Sequence, residues 1–240
     1  MARARLRTVL GAITLGAVLI PLTAGSALAE GNGTEVQGPN KMKFEALVGS
    51  DNSPSDCSSI GWQNVNKDSP LDTNSRALVS HVCEGDYTDA YTGRSLNINK
   101  SVSDVQNLSY DFRTNSIGAG APRISVIFGN GDVAYLAAST CSNPLAASGD
   151  VWSRADFTGA VNNCAFNVSG ATGGLYEADG ASSAWDVYAA AHPSQVVKYD
   201  FLIFDEPGDY LVDRVSLGTN KLYNTSPKRA VSCEMNENVC

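Results

Sequence analysis

Short runs of alternating apolar and polar residues, separated by Gly, Asn, Asp and Pro, recur along most of the chain. In the clearest run Ile124, Val126 and Phe128 share one face. A Gly129–Asn130–Gly131 loop separates this run from the next one, which extends to Ala137. Because such a glycine-rich loop supplies the positive φ of a tight turn, the spacing predicts a β-hairpin over residues 123–137.

The same alternation predicts further strands along the chain. They are Met42–Val48, Arg76–Cys83, a short edge strand with Leu96 and Ile98, Val105–Phe112, Val151–Phe157 and Cys164–Val168. Residues 49–75 and 84–93 are rich in turn-forming residues and are predicted to be loops. In all, about nine or ten short strands with frequent turn signals favour an all-β sandwich or barrel.

One short helix is predicted in the last third of the chain. Ser182 and Ser183 precede the run Ala184–Ala191, and serine is a favourable N-cap. Pro193 follows the run and ends it, because the residue before a proline avoids the α region. Trp185 and Tyr188 are three residues apart and are expected to share the buried face.

Two strands and a tight turn follow the predicted helix. The strands are Val196–Phe204 and Tyr210–Leu217, and the turn is Asp205–Asp209. Simple alternation along the second strand places Leu211, Val215 and Leu217 inward.

The order of helix, proline, strand, turn and strand, closing on Leu211–Leu217, resembles the C-terminal part of secreted jelly-roll modules. Carbohydrate-binding modules and concanavalin-like domains end on a similar hydrophobic-Asp-x-Val-x-Leu strand. The resemblance covers residues 185–217 and implies an antiparallel jelly-roll-like β-sandwich with one short helix, but it brings no ligand residue with it.

The N-terminal residues have the composition of a secretory signal peptide. Arg3, Arg5 and Arg7 precede a mostly apolar stretch, and Ala27-Leu28-Ala29 matches a cleavage site. We therefore expect a signal peptide over residues 1–29 and a secreted, extracellular protein. The short signal, rich in arginine and alanine, resembles those of actinomycete bacteria.

The rest of the chain is predicted to form one domain. Residues 30–40 are mostly Gly, Asn, Thr and Glu and predict a disordered lead-in, whereas residues 41–240 are long enough for a single β-sandwich. Removal of residues 1–29 would change the net charge from −8 to −11. Such an acidic protein is a poor ligand for nucleic acid, and we expect no membrane association after cleavage.

All six cysteines lie after the predicted cleavage site, and an even number in an exported chain predicts disulfides. Six cysteines allow fifteen pairings. We favour the sequential one: Cys57–Cys83, Cys141–Cys164 and Cys233–Cys240. The chain has no C-x-x-C motif and its two histidines are far apart, so we predict no metal centre and no cofactor.

Aromatic residues in polar sequence give the first candidate site. Trp62, Tyr87 and Tyr91 lie in predicted loops, where indole and phenol rings could stack on the C–H faces of sugars. No G-x-S-x-G motif is present. We therefore favour an exported, non-catalytic binding or surface-associated protein over an enzyme. The first ligand class to test is glycan, as polysaccharide or cell wall.

Acidic residues give the alternative site. Asp205 and Asp209 lie in the predicted turn, and Asp213 follows on the last strand. Two carboxylates about 5 Å apart, or about 6.5–9.5 Å apart, can hydrolyse a glycosidic bond, which makes a secreted carbohydrate-active hydrolase the alternative. The same turn could hold a structural calcium ion. A structural exported protein without a ligand is the third hypothesis.

Overall fold

The computed structural model describes residues 42–65, 76–92, 99–118, 120–141, 152–159, 164–218 and 220–222. The predicted signal peptide over 1–29, the lead-in over 30–40, the edge strand at Leu96 and Ile98, and the Cys233–Cys240 pair lie outside the described residues.

Fifteen strands and one α-helix form in the described part of the chain. The strands are β1 Met42–Val48, β2 Ser53–Pro54, β3 Ser59–Asn64, β4 Arg76–Val82, β5 Asp86–Thr92, β6 Lys100–Ser101, β7 Ser109–Arg113, β8 Arg123–Phe128, β9 Val133–Ala137, β10 Trp152–Asp156, β11 Phe166–Ser169, β12 Gly174–Tyr176, β13 Val196–Phe204, β14 Gly208–Leu217 and β15 Asn220–Leu222. The helix, α1, is Ala184–Ala191.

The strands form two antiparallel sheets. The large sheet has the order β12-β11-β9-β8-β13-β5-β1-β2, with β6 also paired to β13. The small sheet has the order β10-β7-β14-β4-β3, with β15 also paired to β14. The predicted antiparallel all-β class with one short helix is therefore confirmed.

The hydrophobic core lies between the two sheets. Tyr110 and Phe112 of the small sheet and Ile124 and Val126 of the large sheet are fully buried in one cluster. The predicted hairpin over 123–137 is present, because β8 and β9 pair from Arg123–Ala137 to Ile127–Val133. The predicted alternation is confirmed, because the apolar residues of β8 face the core.

Strand β5 corrects the loop predicted over residues 84–93. It lies inside the large sheet, between β13 and β1. Its core face carries the small residues Thr88 and Ala90, whereas Tyr87 and Tyr91 lie on the opposite face. With its large rings turned away from the core, β5 lacks the apolar alternation by which a strand is recognised in sequence.

Strand β3 likewise corrects the loop predicted over residues 49–75. It pairs with β4 along its whole length, and Trp62 lies opposite the buried Leu78. Trp62 therefore points to the inner face of the small sheet, where it packs against the core.

A β-bulge in β14 overturns one of the inward assignments made for that strand. Between Asp213 and Ser216, β14 has one more residue than its partner β7, and Arg214 adopts a φ of 42° there. Tyr210 and Val212 consequently face the core before the bulge, and Val215 and Leu217 face it afterwards. Leu211 is not inward-facing as predicted, because a bulge reverses the alternation.

The helix forms where it was predicted. The Ser183 hydroxyl accepts the Asp186 N–H, and the Asp186 carboxylate accepts the Ser183 N–H, which is a capping box. Trp185 and Tyr188 are both buried, and the indole N–H of Trp185 donates to the Val102 carbonyl at 3.1 Å. The structure also contains the disulfides Cys57–Cys83 and Cys141–Cys164, the first two of the sequential pairing.

Candidate functional site

The outer face of the large sheet carries a row of side chains that crosses five neighbouring strands. Successive strand pairings connect its members: Phe201 to Ser125, Ser125 to Tyr135, Tyr135 to Asn167 and Asn167 to Leu175. Because side chains alternate along each strand, all five point away from the core. We call this set the outer row.

Exposed hydrophobic side chains accompany the outer row. Among the described residues, the large hydrophobic side chains that are exposed are Leu175, at 57%, and Tyr199, at 39%. Tyr199 lies two residues before Phe201 and faces the same way. Both exposed side chains therefore lie on the outer face of the large sheet, near opposite ends of the outer row, with three strands between them.

Arg123 is the cationic residue at the margin of the outer row. Its guanidinium forms an ion pair with Asp205 and lies 5.1 Å from the centre of the Tyr135 ring. Its Nε donates to the Ser125 hydroxyl at 3.3 Å. Arg123 thereby fixes both the Tyr135 ring and the turn that follows β13.

An acidic pair lies on the same face, beside β13. Glu45 of β1 is directly opposite Asp89 of β5, and Ile203 of β13 is on the other side of Asp89. Burial, followed by the negative charges of Asp89 and Glu45, raises the pKa of the neighbouring Tyr87 to about 12. Two carboxylates therefore lie side by side on this part of the face.

The three aromatic residues predicted to bind a ligand do not form one platform. Tyr87 and Tyr91 share the outer face of β5, but Trp62 belongs to the small sheet and points inward. Tyr87 is partly exposed and donates to the Asn52 side chain. Tyr91 is only 4% exposed, so its ring offers little stacking surface. Of the three, Tyr87 alone combines partial exposure with the outer face of the large sheet.

The three predicted carboxylates have separate partners. Asp205 pairs with Arg123 beside the large sheet, whereas Asp209 and Asp213 lie on β14 of the small sheet. Asp213 lies four positions after Asp209 on one strand, which is about 13 Å and exceeds the spacing of glycosidase carboxylates. The structure does not bring the three together.

The acidic turn itself is held by internal contacts. The Glu206 carboxylate accepts the Gly120 N–H at 2.7 Å, and the Tyr210 hydroxyl donates to the Glu206 carbonyl at 2.9 Å. Asp205 is paired with Arg123 and Asp209 with His81. Structural calcium at this turn stays a prediction, and a melting-temperature comparison between added Ca²⁺ and a chelator would check it.

His81 lies between Asp209 and the Cys57–Cys83 disulfide. Its Nδ1 is 2.7 Å from Asp209 Oδ1, and its Nε2 is 3.6 Å from Cys83 Sγ. The two sulfurs and the imidazole lie within 4.8 Å of one another. Because both sulfurs are joined in the disulfide, they offer no thiolate to a metal in this form.

The other histidine has a structural setting. His192 is the C-cap of α1, and its Nε2 is 2.7 Å from the Tyr176 hydroxyl. Nearby, the Thr172 hydroxyl connects Tyr188 to the carboxylate of Asp132, which also accepts two N–H groups of the 170–172 loop. These bonds join the β8–β9 hairpin loop to the turn between β11 and β12 and to the helix.

A buried ion cluster lies on the outer face of the small sheet. Asp111 accepts hydrogen bonds from Arg154, at 2.8 Å, and from Arg214. Asp213 is directly opposite Asp111, and its Oδ1 accepts the Arg214 N–H at 2.8 Å. Asp111 is 1% exposed, so this cluster stabilises the sheet rather than presenting a carboxylate to solvent.

Comparison with protein-family models, with curated proteins and with solved structures finds no match. None of the helices in the described ranges is long and apolar enough to cross a membrane.

The outer row was not singled out from sequence, although a signal was present. In the predicted hairpin, Arg123, Ser125 and Tyr135 are the residues between the core positions, so their outward direction followed from the alternation. What the sequence could not supply is the strand order. Asn167 and Leu175 join Tyr135 only through pairings of β11 with β9 and β12.

Proposed function

We propose that the protein is an exported, non-catalytic glycan-binding protein built as a jelly-roll-like sandwich, with the outer face of the large sheet as its binding surface. The observation that carries this proposal is the outer row, with Leu175 and Tyr199 exposed on the same face. The predicted signal peptide and the two disulfides support export, because disulfides persist in oxidising compartments.

The side chains of this face match the two surfaces of a sugar ring. The C–H face of a pyranose packs on aromatic or aliphatic groups, such as Phe201, Tyr135 and Leu175. Its hydroxyl rim needs polar partners, and the exposed Asn167 lies between Tyr135 and Leu175. The face therefore alternates apolar and polar groups across the strands.

The dimensions of the row favour an extended chain over a single sugar. Phe201 and Tyr135 are separated by one intervening strand, which puts them about 10 Å apart, and the whole row spans about 20 Å. A sheet face of this width accommodates several consecutive sugar units.

Electrostatics favour a neutral glycan. The protein has a net charge of −8, and the face carries the acidic pair Glu45 and Asp89. Its nearby cation, Arg123, is already paired with Asp205. An anionic polysaccharide would be repelled, so neutral polysaccharides and cell-wall glycans are the ligands to test first.

The test is retention on a panel of neutral polysaccharides and cell walls, followed by affinity measurements on two matched leucine variants. Leu175→Ala removes exposed apolar surface from the proposed face and should weaken binding by roughly tenfold. Leu211→Ala removes a leucine from the outer face of the small sheet and should leave the affinity unchanged. No retention on any glycan, or an equal loss in both variants, would contradict the proposal and favour a structural protein without a ligand.

A secreted carbohydrate-active hydrolase is the second candidate, and the pair Glu45 and Asp89 favours it. Residues directly opposite each other on antiparallel strands have Cα atoms about 4.5 to 5.5 Å apart, so their carboxylates come within the range used by glycosidases. The discriminating assay is release of reducing ends from each glycan that binds. Release that disappears in Asp89→Asn, with binding retained, would replace the binding function by hydrolysis.

A further inference from the structure

The two disulfides of the described chain differ sharply in their access to solvent. Cys57 is exposed and Cys83 is partly exposed. Cys141 and Cys164 are only 1% and 2% exposed. An external thiol can therefore reach the sulfur of Cys57, whereas the other bridge lies in the core.

A histidine lies beside the more accessible disulfide. The Nε2 atom of His81 is 3.6 Å from Cys83 Sγ, and its side chain is 43% exposed. Asp209 accepts from Nδ1 at 2.7 Å and thereby fixes the orientation of the ring. With Nδ1–H donated to Asp209, a proton on Nε2 of the imidazolium points at the Cys83 sulfur.

A second set of hydrogen bonds holds the two cysteines close together without using the sulfur–sulfur bond. The Asp86 carboxylate accepts the hydroxyls of Ser55 and Ser58. Those hydroxyls accept the backbone N–H groups of Cys57, at 3.2 Å, and Cys83, at 2.8 Å. Opening the disulfide therefore leaves both sulfurs near each other, which favours its re-formation.

We propose that Cys57–Cys83 is a reversible thiol-exchange site for low-molecular-mass thiols, attacked at Cys57, with His81 as the proton donor to the leaving sulfur of Cys83. The thiolate of the small molecule forms a new disulfide bond with Cys57 Sγ. The Cys57–Cys83 bond breaks, and its electron pair goes to Cys83 Sγ, which takes the Nε2 proton of His81.

Two outcomes follow from that mixed disulfide. A second molecule of the small thiol can attack it, which releases the oxidised small disulfide and leaves two reduced cysteines. Alternatively Cys83 Sγ returns its proton to His81 and attacks Cys57 Sγ as a thiolate, which releases the small thiolate and restores the protein disulfide. The small thiol is the reductant when the bridge opens fully, and the return path involves no net oxidation or reduction, so the electrons balance without another reactant. This site is separate from the proposed glycan-binding face.

The first experiment compares the two bridges in the unaltered protein. The protein is exposed to millimolar free cysteine for timed intervals, the reaction is stopped by alkylation, and each cysteine is followed by peptide mass spectrometry. Cys57–Cys83 should open at least about tenfold faster than Cys141–Cys164, with the cysteine adduct on Cys57. Equal rates, or an adduct mainly on Cys83, would overturn the proposal.

The second experiment distinguishes proton donation by His81 from the solvent exposure of the disulfide. The two histidines of the chain provide the test variant and its control. His81→Gln should slow opening by at least about tenfold, whereas His192→Gln should leave the rate unchanged. Equal rates in the two variants would show that access alone opens the bridge and would overturn the role of His81.

The positioning of His81 by Asp209, and the hydrogen bonds of Ser55 and Ser58 to Asp86, are tested in the same assay. Asp209→Asn should slow opening, and Asp209→Glu should restore part of the rate by keeping a carboxylate at Nδ1. Asp86→Asn should slow closure of the Cys57 mixed disulfide back to Cys57–Cys83 once the free small thiol is removed. A normal rate in Asp209→Asn, or normal re-formation in Asp86→Asn, would remove that residue from the proposal.

Discussion

Asp200 of β13 is paired with Val126 of β8, and both side chains face the core between the two sheets. Asp200 is 2% exposed, and its Oδ2 has no hydrogen-bond partner among the described residues. Burial raises the pKa of this carboxyl from 3.8 to about 7. An aspartic acid at this position favours its neutral form, because ionisation in the core lacks compensating solvation.

Replacement of Asp200 by asparagine should change how stability depends on pH. Between pH 4 and pH 7 the unfolded chain ionises this group while the folded chain keeps its proton, so the free energy of unfolding falls as pH rises. The shift of the folded pKa from 3.8 to about 7 corresponds to about 4 kcal/mol at most. The stability of Asp200→Asn relative to the parent should therefore increase across this range.

The measurement is urea unfolding of both proteins, kept oxidised, at pH values from 4 to 8. Subtracting one curve from the other cancels the other titrating groups, and the cost of burying an amide remains only as an offset that does not vary with pH. A difference that does not vary with pH would show that Asp200 titrates normally and would contradict the effect of burial.

The buried carboxylate of Asp111 differs from that of Asp200 in that it is ion-paired, so its replacement should lower the stability of the fold. It accepts from Arg154 and Arg214, and the side chains of these arginines are 34% and 27% exposed. Asp111→Asn removes the carboxylate that both guanidinium groups contact. We expect a loss of about 2–3 kcal/mol, below the range for fully buried pairs because solvent reaches both arginines.

Thermal and urea unfolding of Asp111→Asn check this prediction. Asp104→Asn is the control, since Asp104 is exposed on the short 3₁₀ turn Val102–Asp104. An equal effect of the two substitutions would mean that the cluster of Asp111, Arg154 and Arg214 adds little to the stability of the small sheet.

The N-cap of α1 should contribute less to the free energy of unfolding than the Asp111 cluster does. The Ser183 hydroxyl accepts the Asp186 N–H at 3.1 Å, so Ser183→Ala leaves a first-turn donor without its partner. The expected cost is about 1 kcal/mol of unfolding free energy. Ser182→Ala, one residue earlier, is the matched control and should cost less. A neutral Ser183→Ala would show that packing of Trp185 and Tyr188 alone holds the helix.

Local signals were sufficient to predict α1 and the β8–β9 hairpin. The helix needs only a capping serine, a run of alanines and a following proline, all within ten or so residues. The hairpin needs a glycine-rich loop between two alternating runs. Ser183, Pro193 and Gly131, with its φ of 89°, carry these signals in the sequence itself.

The features that sequence reasoning missed or mispredicted depend on pairing between strands that are distant in the sequence. Strand β5 has Thr88 and Ala90 toward the core and tyrosines on its other face, so it becomes a strand through its neighbours β13 and β1. The bulge beside Tyr199 turns Asp200 inward, and the one at Arg214 turns Leu211 outward. A bulge leaves no clear pattern in a single sequence, and neither does the strand order that assembles the outer row.

The hydrogen bond between the side chains of Ser80 and Thr88 connects the two sheets through the core. Ser80 belongs to β4 of the small sheet, Thr88 belongs to β5 of the large sheet, and both are fully buried. Because the partner hydroxyl is then left buried and unpaired, Ser80→Ala or Thr88→Val alone should cost about 1–3 kcal/mol. The double variant should cost clearly less than the sum of the two, since it removes both polar groups together. Urea unfolding of all four proteins gives the coupling energy. Strict additivity would show that the two hydroxyls do not stabilise the contact between the sheets.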